Sequence, residues 1–152
     1  MTSYQSLCEV VSEIALISST ESVLGWDQET FMPAKALEHR ARQLSYLTGK
    51  AHGLLTSKKT LKLLERAETE MPENSTQAAN VRSLRRDIDK ATKLPQKLVI
   101  EESEVCALSK AAWVEARKKS DFLLFAPHLV KLLEIARKKA DLFGYEEEPY
   151  DA

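Results

Sequence analysis

Trp26-Asp27-Gln28-Glu29-Thr30-Phe31-Met32-Pro33 ends one helical stretch and introduces the next, and the chain is read outward from that corner. Pro33 cannot continue a preceding helix, yet it suits a first helical turn, where its missing N–H costs nothing. Upstream, Thr2-x-x-Gln5 has the form of a capping box, and Leu7, Val10, Val11, Ile14 and Ile17 then share one face at helical spacing. This first helix is predicted to run towards Trp26. Downstream, Leu37, Arg40, Leu44, Leu47, Ala51 and Leu54 repeat the rhythm and define a second helix.

Four of the five prolines, Pro33, Pro72, Pro95 and Pro127, fall between helical stretches, so each marks a boundary. A short third helix carries Leu61, Leu64 and Ala67 and ends near Met71-Pro72. Asn74-x-x-Gln77 is read as the cap of a fourth, with Val81, Leu84, Ile88 and Ala91 on its stripe. Past Leu94-Pro95, a long fifth helix holds Leu98, Val99, Val105, Cys106, Ala112, Trp113 and Ala116 on its apolar side. The sixth runs from Pro127 through Leu129, Leu132, Leu133, Ala136 and Phe143 to a Gly144 C-cap, and the acidic tail 145–152 is expected to be loose. With four glycines and no alternating β-branched run, strands have little support. The expected fold is all-α, a compact array of about five to six antiparallel helices. No fixed-period repeat and no low-complexity linker divides it, so residues 1–152 are read as a single domain.

Composition agrees with one soluble globular domain: 152 residues, net charge -1, 43% hydrophobic and 30% charged. A chain this long buries about 70% of its unfolded surface, enough for a core without disulfides or a structural metal. Cys8 and Cys106 sit far apart among apolar helical positions and are read as two buried thiols in a reducing compartment. The amino end has no basic, then apolar, export pattern, and nowhere do about 18 consecutive apolar residues occur. The expected location is cytoplasmic, with no membrane contact.

Tests for chemistry on the sequence are mostly negative. Helical metal chelation needs ligands three or four residues apart, and none of His39, His52 and His128 has a His, Cys, Asp or Glu at those offsets. No metal or cofactor site is therefore assigned, and no catalytic residue. Thr48-Gly49-Lys50 lacks the upstream glycine and the following Ser or Thr of a phosphate loop, and neither cysteine has a histidine at helical spacing. Asp27 and Glu29 are two acids close together, but a structural role outweighs acid-base work. In that role Asp27 or Thr30 accepts backbone N–H groups and Trp26 anchors the corner in the core. The clusters at Arg82, Arg85 and Arg86, at Arg117-Lys118-Lys119 and at Arg137-Lys138-Lys139 have acids nearby, so helix-face pairing is expected and nucleic-acid binding is not.

The corner Trp26 to Pro33 is followed by Arg40-x-x-Gln43-Leu44-x-x-Leu47, His52, Val81-Arg82, Arg86-Asp87, Leu94-Pro95, Trp113-x-x-Ala116-Arg117-Lys118 and Asp121-Phe122-x-x-Phe125-Ala126-Pro127. In this order the segments resemble the amino-terminal part of the Taq-type thermostable zinc carboxypeptidases, metallopeptidases that trim single residues from peptide C-termini. The resemblance covers nearly the whole chain, and Tyr150-Asp151-Ala152 looks like the start of a further family segment. The family's H-E-x-x-H, in which two histidines bind zinc and the glutamate activates water, is absent, as are H-P-F, D-x-R-x-T, H-E-S-Q and G-x-x-Q-D-x-H-W. Ile135 to Asp141 resembles the family's I-R-x-x-A-D but has one residue inserted and lies elsewhere in the chain, so it is not assigned that role.

The resemblance implies a helical region that roofs a groove above the metal and shapes access to it, with zinc or cobalt held only by the half of the enzyme not present here. The chain alone is expected to be inactive. Its implied partner is that catalytic half, or a second copy paired through an apolar helix face as a homodimer. Motif residues Trp26, Asp27, Glu29, Thr30, Met32, Pro33, Arg40, Trp113 and Arg117 are read as structural, Trp113 as a core residue with Arg117 paired to a nearby acid. His128 departs from the family, which has an aromatic there. The alternative is a stand-alone helical interaction module descended from the same family.

Overall fold

The computed structural model describes residues 2–70 and 75–152, and among them it contains six α-helices and no strand. They are α1 (Ser3–Thr30), α2 (Leu37–Leu55), α3 (Lys58–Glu70), α4 (Thr76–Thr92), α5 (Gln96–Lys119) and α6 (Ala126–Phe143). The all-α expectation holds, and the helix ends obey local chemistry. Thr2 Oγ1 accepts the Gln5 N–H at 3.2 Å while Gln5 Oε1 accepts the Thr2 N–H at 2.9 Å, the capping box read from the sequence. Asn74 and the Met71-Pro72 stop lie outside the described residues; within them the cap of α4 is Ser75, whose Oγ accepts the Ala78 N–H at 3.1 Å. Pro33 does not open α2 directly but precedes a single 3-10 turn, Ala34–Ala36, that leads into it. The tail contains a 3-10 turn at Pro149–Asp151 that lies against α6.

The end of α5 carries local strain. Ser120 is left-handed at φ 52°, with its N–H bonded to Arg117 O at 3.2 Å and the Asp121 N–H to Ala116 O at 2.9 Å. That is the reciprocal pairing of a Schellman motif at a position where glycine is favoured. Ser120→Gly is expected to stabilise the fold by about 0.5–1 kcal/mol, because relief of the Cβ clash exceeds the added freedom of the unfolded chain. A higher urea midpoint at unchanged slope checks it.

The core is built by α1, α3 and α4. Leu7, Leu64, Ala67, Val81 and Ile88 are buried together, with Tyr4, Leu55, Leu61, Leu63 and Leu84 packed around them. Polar contacts at the rim hold the three helices in register: Ser3 Oγ donates to Glu70 at 2.7 Å, Asn80 Nδ2 to Tyr4 Oη at 3.0 Å, and Arg85 forks onto both Glu68 oxygens at 2.7 and 2.6 Å. The hydrogen bonds from the Arg85 guanidinium hold the Glu68 carboxyl below its ordinary range. Arg85 also pairs with Asp89 and Lys119 with Glu115, the i to i+4 pairing expected of those basic clusters.

The most extensive helix contact is α2 on α5. It uses a stripe of small residues in place of the leucine face expected: Ala41, Ser45 and Gly49 are buried, while Leu37, Leu44, Leu47 and Leu54 are only half-buried. The reason is that α2 is wedged between α1 and α5, so no single face takes all the burial. A Cβ placed on Gly49 would meet Ile100 Cγ1 at 2.7 Å and Cδ1 at 2.8 Å. Gly49→Ala is therefore expected to cost about 1–2 kcal/mol, overpacking outweighing the gain in helix propensity. Ile100→Val should recover part of that loss, and a double-mutant cycle reads the coupling.

Several residues expected in the core are outside it. Cys8 and Cys106 are exposed free thiols, because α1 buries Leu7 and Val10 and α5 buries Ala107 and Ser109 beside them. Leu133 and Ala136 on α6 are also exposed. Helix α6 packs mainly on α5 and also meets the Pro149–Asp151 turn, burying Ile135 and Ala140 while leaving Leu133 and Ala136 uncovered.

Candidate functional site

The last turn of α1 is fastened by Arg40 on α2. Phe31 and Met32 both donate their N–H groups to Asp27 O, at 3.0 and 2.9 Å, and the chain leaves the helix there. Asp27 places a carboxylate at the negative end of the α1 dipole, an unfavourable position for an anion. Arg40 offsets it: Nη2 meets Asp27 Oδ2 at 2.6 Å, Nη1 donates to Leu24 O at 2.5 Å, and Nε donates to Gln43 Oε1 at 3.1 Å. Asp27 thus makes an ion pair and does not cap backbone N–H groups. Thr30 does not cap either; its Oγ1 donates to Trp26 O at 2.9 Å.

Glu29 points the other way and forms an ion pair with Lys110 on α5, beside a hydrogen bond from Gln28 Nε2 to Ala107 O at 3.1 Å. The two acids of the corner are therefore each tied to a different cation on a different helix, not a paired acid and base. Thr48 continues the join, donating to Glu21 and lying 3.0 Å from Ser103, which links α1, α2 and α5. No sequence spacing marks these long-range partners, so the sequence alone gives Gln28, Lys110 and Thr48 no such role.

Trp26 does not anchor the corner in the core. It is 59% exposed and stands edge-on to Phe31, their ring centroids 5.6 Å apart. Trp113 is 48% exposed rather than a core residue, and among the described residues Arg117 has no hydrogen bond or ion pair. Both corrections have one cause: the carboxyl-terminal half of α5 meets α6 and the end of α1 but is covered by neither. Trp113 and Arg117 do share a face. With Ala116, Asp121, Phe122 and Phe125 they line a cleft of about 550 Å³. On its other side, Trp113 joins Gln28, Glu29, Met32, Leu37 and Lys110 around a cleft of about 450 Å³. Met32 thus borders this cleft, while Pro33 sets the direction of the chain just beyond it.

Among the described residues the three histidines lie apart, each in different surroundings. His39 is exposed, His52 Nε2 donates to Ala91 O at 3.1 Å, and His128 Nδ1 lies 3.4 Å from the buried Ser109 Oγ on α5. Among the described residues no group of three His, Cys, Asp or Glu side chains is gathered where it could hold a metal. Cys106 is no nucleophile candidate, since partial desolvation and the neighbouring Glu102 push its thiol up, away from the thiolate form. Among the described residues no helix is long and apolar enough to cross a membrane.

Comparison with known proteins agrees with this arrangement. Residues 6–152 match the family described as carboxypeptidase Taq (M32) metallopeptidase. Thermostable carboxypeptidase 1 of Pyrococcus furiosus is 38% identical over 136 residues, which is 90% of this chain and 27% of that protein. Thermostable carboxypeptidase 1 of Thermus thermophilus is 32% identical over 152 residues, 97% of this chain and 30% of the relative. Among solved structures, BsuCP superposes with a TM-score of 0.92 at 26% identity, covering 99% of this chain and 31% of that one. The M32 carboxypeptidase of Deinococcus radiodurans R1 gives 0.73 at 39% identity, covering 98% and 30%. The chain spans less than a third of the length of the relatives it matches. Matched along nearly its whole length by sequence and by fold, it belongs to the carboxypeptidase Taq (M32) metallopeptidase family, as the family's N-terminal region.

Proposed function

We propose that this chain is the N-terminal helical region of a metallocarboxypeptidase, positioned over the groove that admits a peptide's C-terminal end and shaping access to it. The reaction, release of C-terminal amino acids by zinc- or cobalt-assisted hydrolysis, is the work of the remaining part of such an enzyme. One observation carries the reading: the match to the family runs over residues 6–152, yet these residues contain no H-E-x-x-H. Trp113, Arg117 and the apolar clefts beside them are the features suited to border a peptide path, since they combine exposed aromatic surface with an unpaired cation. The metal is a cofactor of the whole enzyme, and a cytoplasmic location belongs to the same reading.

The test is a release assay on the isolated chain with peptides bearing free C-termini, in the presence of zinc or cobalt. No residue release above background is expected. Turnover that a chelator abolishes would overturn the proposal. The stand-alone interaction module is a second reading, favoured by the exposed apolar surface on α5 and α6, and it predicts a stable partner complex with no peptidase activity when the rest of a family enzyme is supplied.

A further inference from the structure

We infer that the two clefts flanking Trp113 are side-chain pockets for an extended peptide, taking an apolar side chain on one side of the ring and a glutamate two residues away on the other. The inference rests on the function proposed above and deepens it by naming the class of peptide preferred. Trp113 is 48% exposed and is the wall common to both clefts. Groups in van der Waals contact with the two sides of a ring stand about 7–8 Å apart, twice the contact distance of about 3.5–4.0 Å. Side chains i and i+2 of an extended peptide project from one face about 7 Å apart. This agreement assigns the two clefts to alternate residues of one peptide, with the residue between them turned to the opposite side.

The walls of the two clefts differ in chemistry. In the cleft of about 450 Å³, Met32, Leu37 and Val114 supply apolar surface, and the charges bordering it, Glu29 and Lys110, neutralise each other in an ion pair. In the cleft of about 550 Å³, Phe122 and Phe125 accompany Arg117, which among the described residues has no hydrogen bond or ion pair. Asp121 is the one acid among the residues lining that cleft, and its Oδ1 accepts the Leu123 N–H at 3.0 Å. Phe122 stays 62% exposed, its turn closed by the Phe125 N–H on Phe122 O at 2.9 Å. A glutamate suits this arrangement, since its methylenes can lie against aromatic rings while its carboxylate meets the guanidinium fork. Both volumes fall within the range of about 300–1,000 Å³ usual for ligand clefts, which likewise combine apolar walls with a few placed polar groups.

The test is two-dimensional NMR of the full chain titrated with tripeptides, acetylated and amidated so that no terminal charge competes for Arg117. One carries leucine, glycine and glutamate in that order, and a second carries them reversed. The tighter of the two is expected to bind with a Kd on the order of 1 mM, shifting the Trp113 indole N–H while the Trp26 indole stays in place. Replacing its glutamate by glutamine should weaken binding by about five-fold, as should placing the glutamate directly beside the leucine. Arg117→Gln should remove the preference for glutamate, and so should salt at about 0.5 M. Trp113→Ala should weaken every peptide by about ten-fold or more. Both side chains are exposed, so circular dichroism of each variant is expected to match the wild type. No shift at Trp113 with peptide at about 10 mM would overturn the inference. Equal affinity for the glutamate and glutamine peptides, or for the two spacings, would do the same. None of these readouts involves release of a residue, so failure of the clefts and failure of the proposed function are told apart.

Discussion

Leu64→Ala is expected to lower the unfolding free energy by about 3–5 kcal/mol, the largest single effect in this molecule. Leu64 is fully buried among Leu7, Ala67, Val81 and Ile88, where three helices meet. Truncation loses the transfer free energy of the removed methyl groups and leaves a cavity. That cavity cannot collapse easily, since Ser3 to Glu70, Asn80 to Tyr4 and Arg85 to Glu68 keep α1, α3 and α4 at fixed spacing. A chain of this size has about 5–15 kcal/mol in all, so the loss removes a large share of its stability. Urea unfolding followed by circular dichroism measures it, and Leu64→Met should cost under about 1.5 kcal/mol because volume is conserved. A cost below about 1 kcal/mol for the alanine would mean that the three helices do not form one cooperative core.

Arg40→Ala is expected to cost about 2–3 kcal/mol. The Arg40 side chain is 12% exposed and its guanidinium serves three acceptors at once: the Asp27 carboxylate, the Leu24 carbonyl and Gln43. Its removal strands a carboxylate beside the negative end of α1 and leaves Leu24 O without this donor. The 34% exposure of Asp27 keeps the cost below that of breaking a fully buried pair. Arg40→Lys should recover only part of the loss, because one ammonium cannot reproduce the planar fork. On an Asp27→Ala background the same Arg40→Ala change should cost about 1–2 kcal/mol less, and the double-mutant cycle reports that coupling. A cycle with no coupling would show that Arg40 acts through packing alone.

The helices and their order were legible because they rest on local rules. The Thr2 to Gln5 box, the boundaries at Pro33, Pro95 and Pro127 and the stop at Gly144 each act within one turn, and the structure places helix ends at or near all of them. The α3 and α4 stripes were legible for the same reason, whereas on α1 only Leu7 and Val10 of the expected face are buried and Val11 is exposed. Periodicity failed where a helix has two neighbours or too few. On α2, wedged between α1 and α5, the buried stripe is Ala41, Ser45 and Gly49. On α5 and α6 the pattern of Trp113 and Leu133 marked them as core, although they are 48% and 49% exposed.

What the residues alone determined is the all-helical architecture, the places where each helix begins and ends, and membership of a recognisable lineage, all of which follow from short-range geometry and motif order. Only the tertiary structure decided that Asp27 answers to Arg40 and Glu29 to Lys110, that α2 meets α5 across glycine, and that Trp26 and Trp113 face solvent. Those outcomes depend on which distant surfaces come together, and a side chain's burial is a property of its neighbours in space, not of its neighbours in sequence.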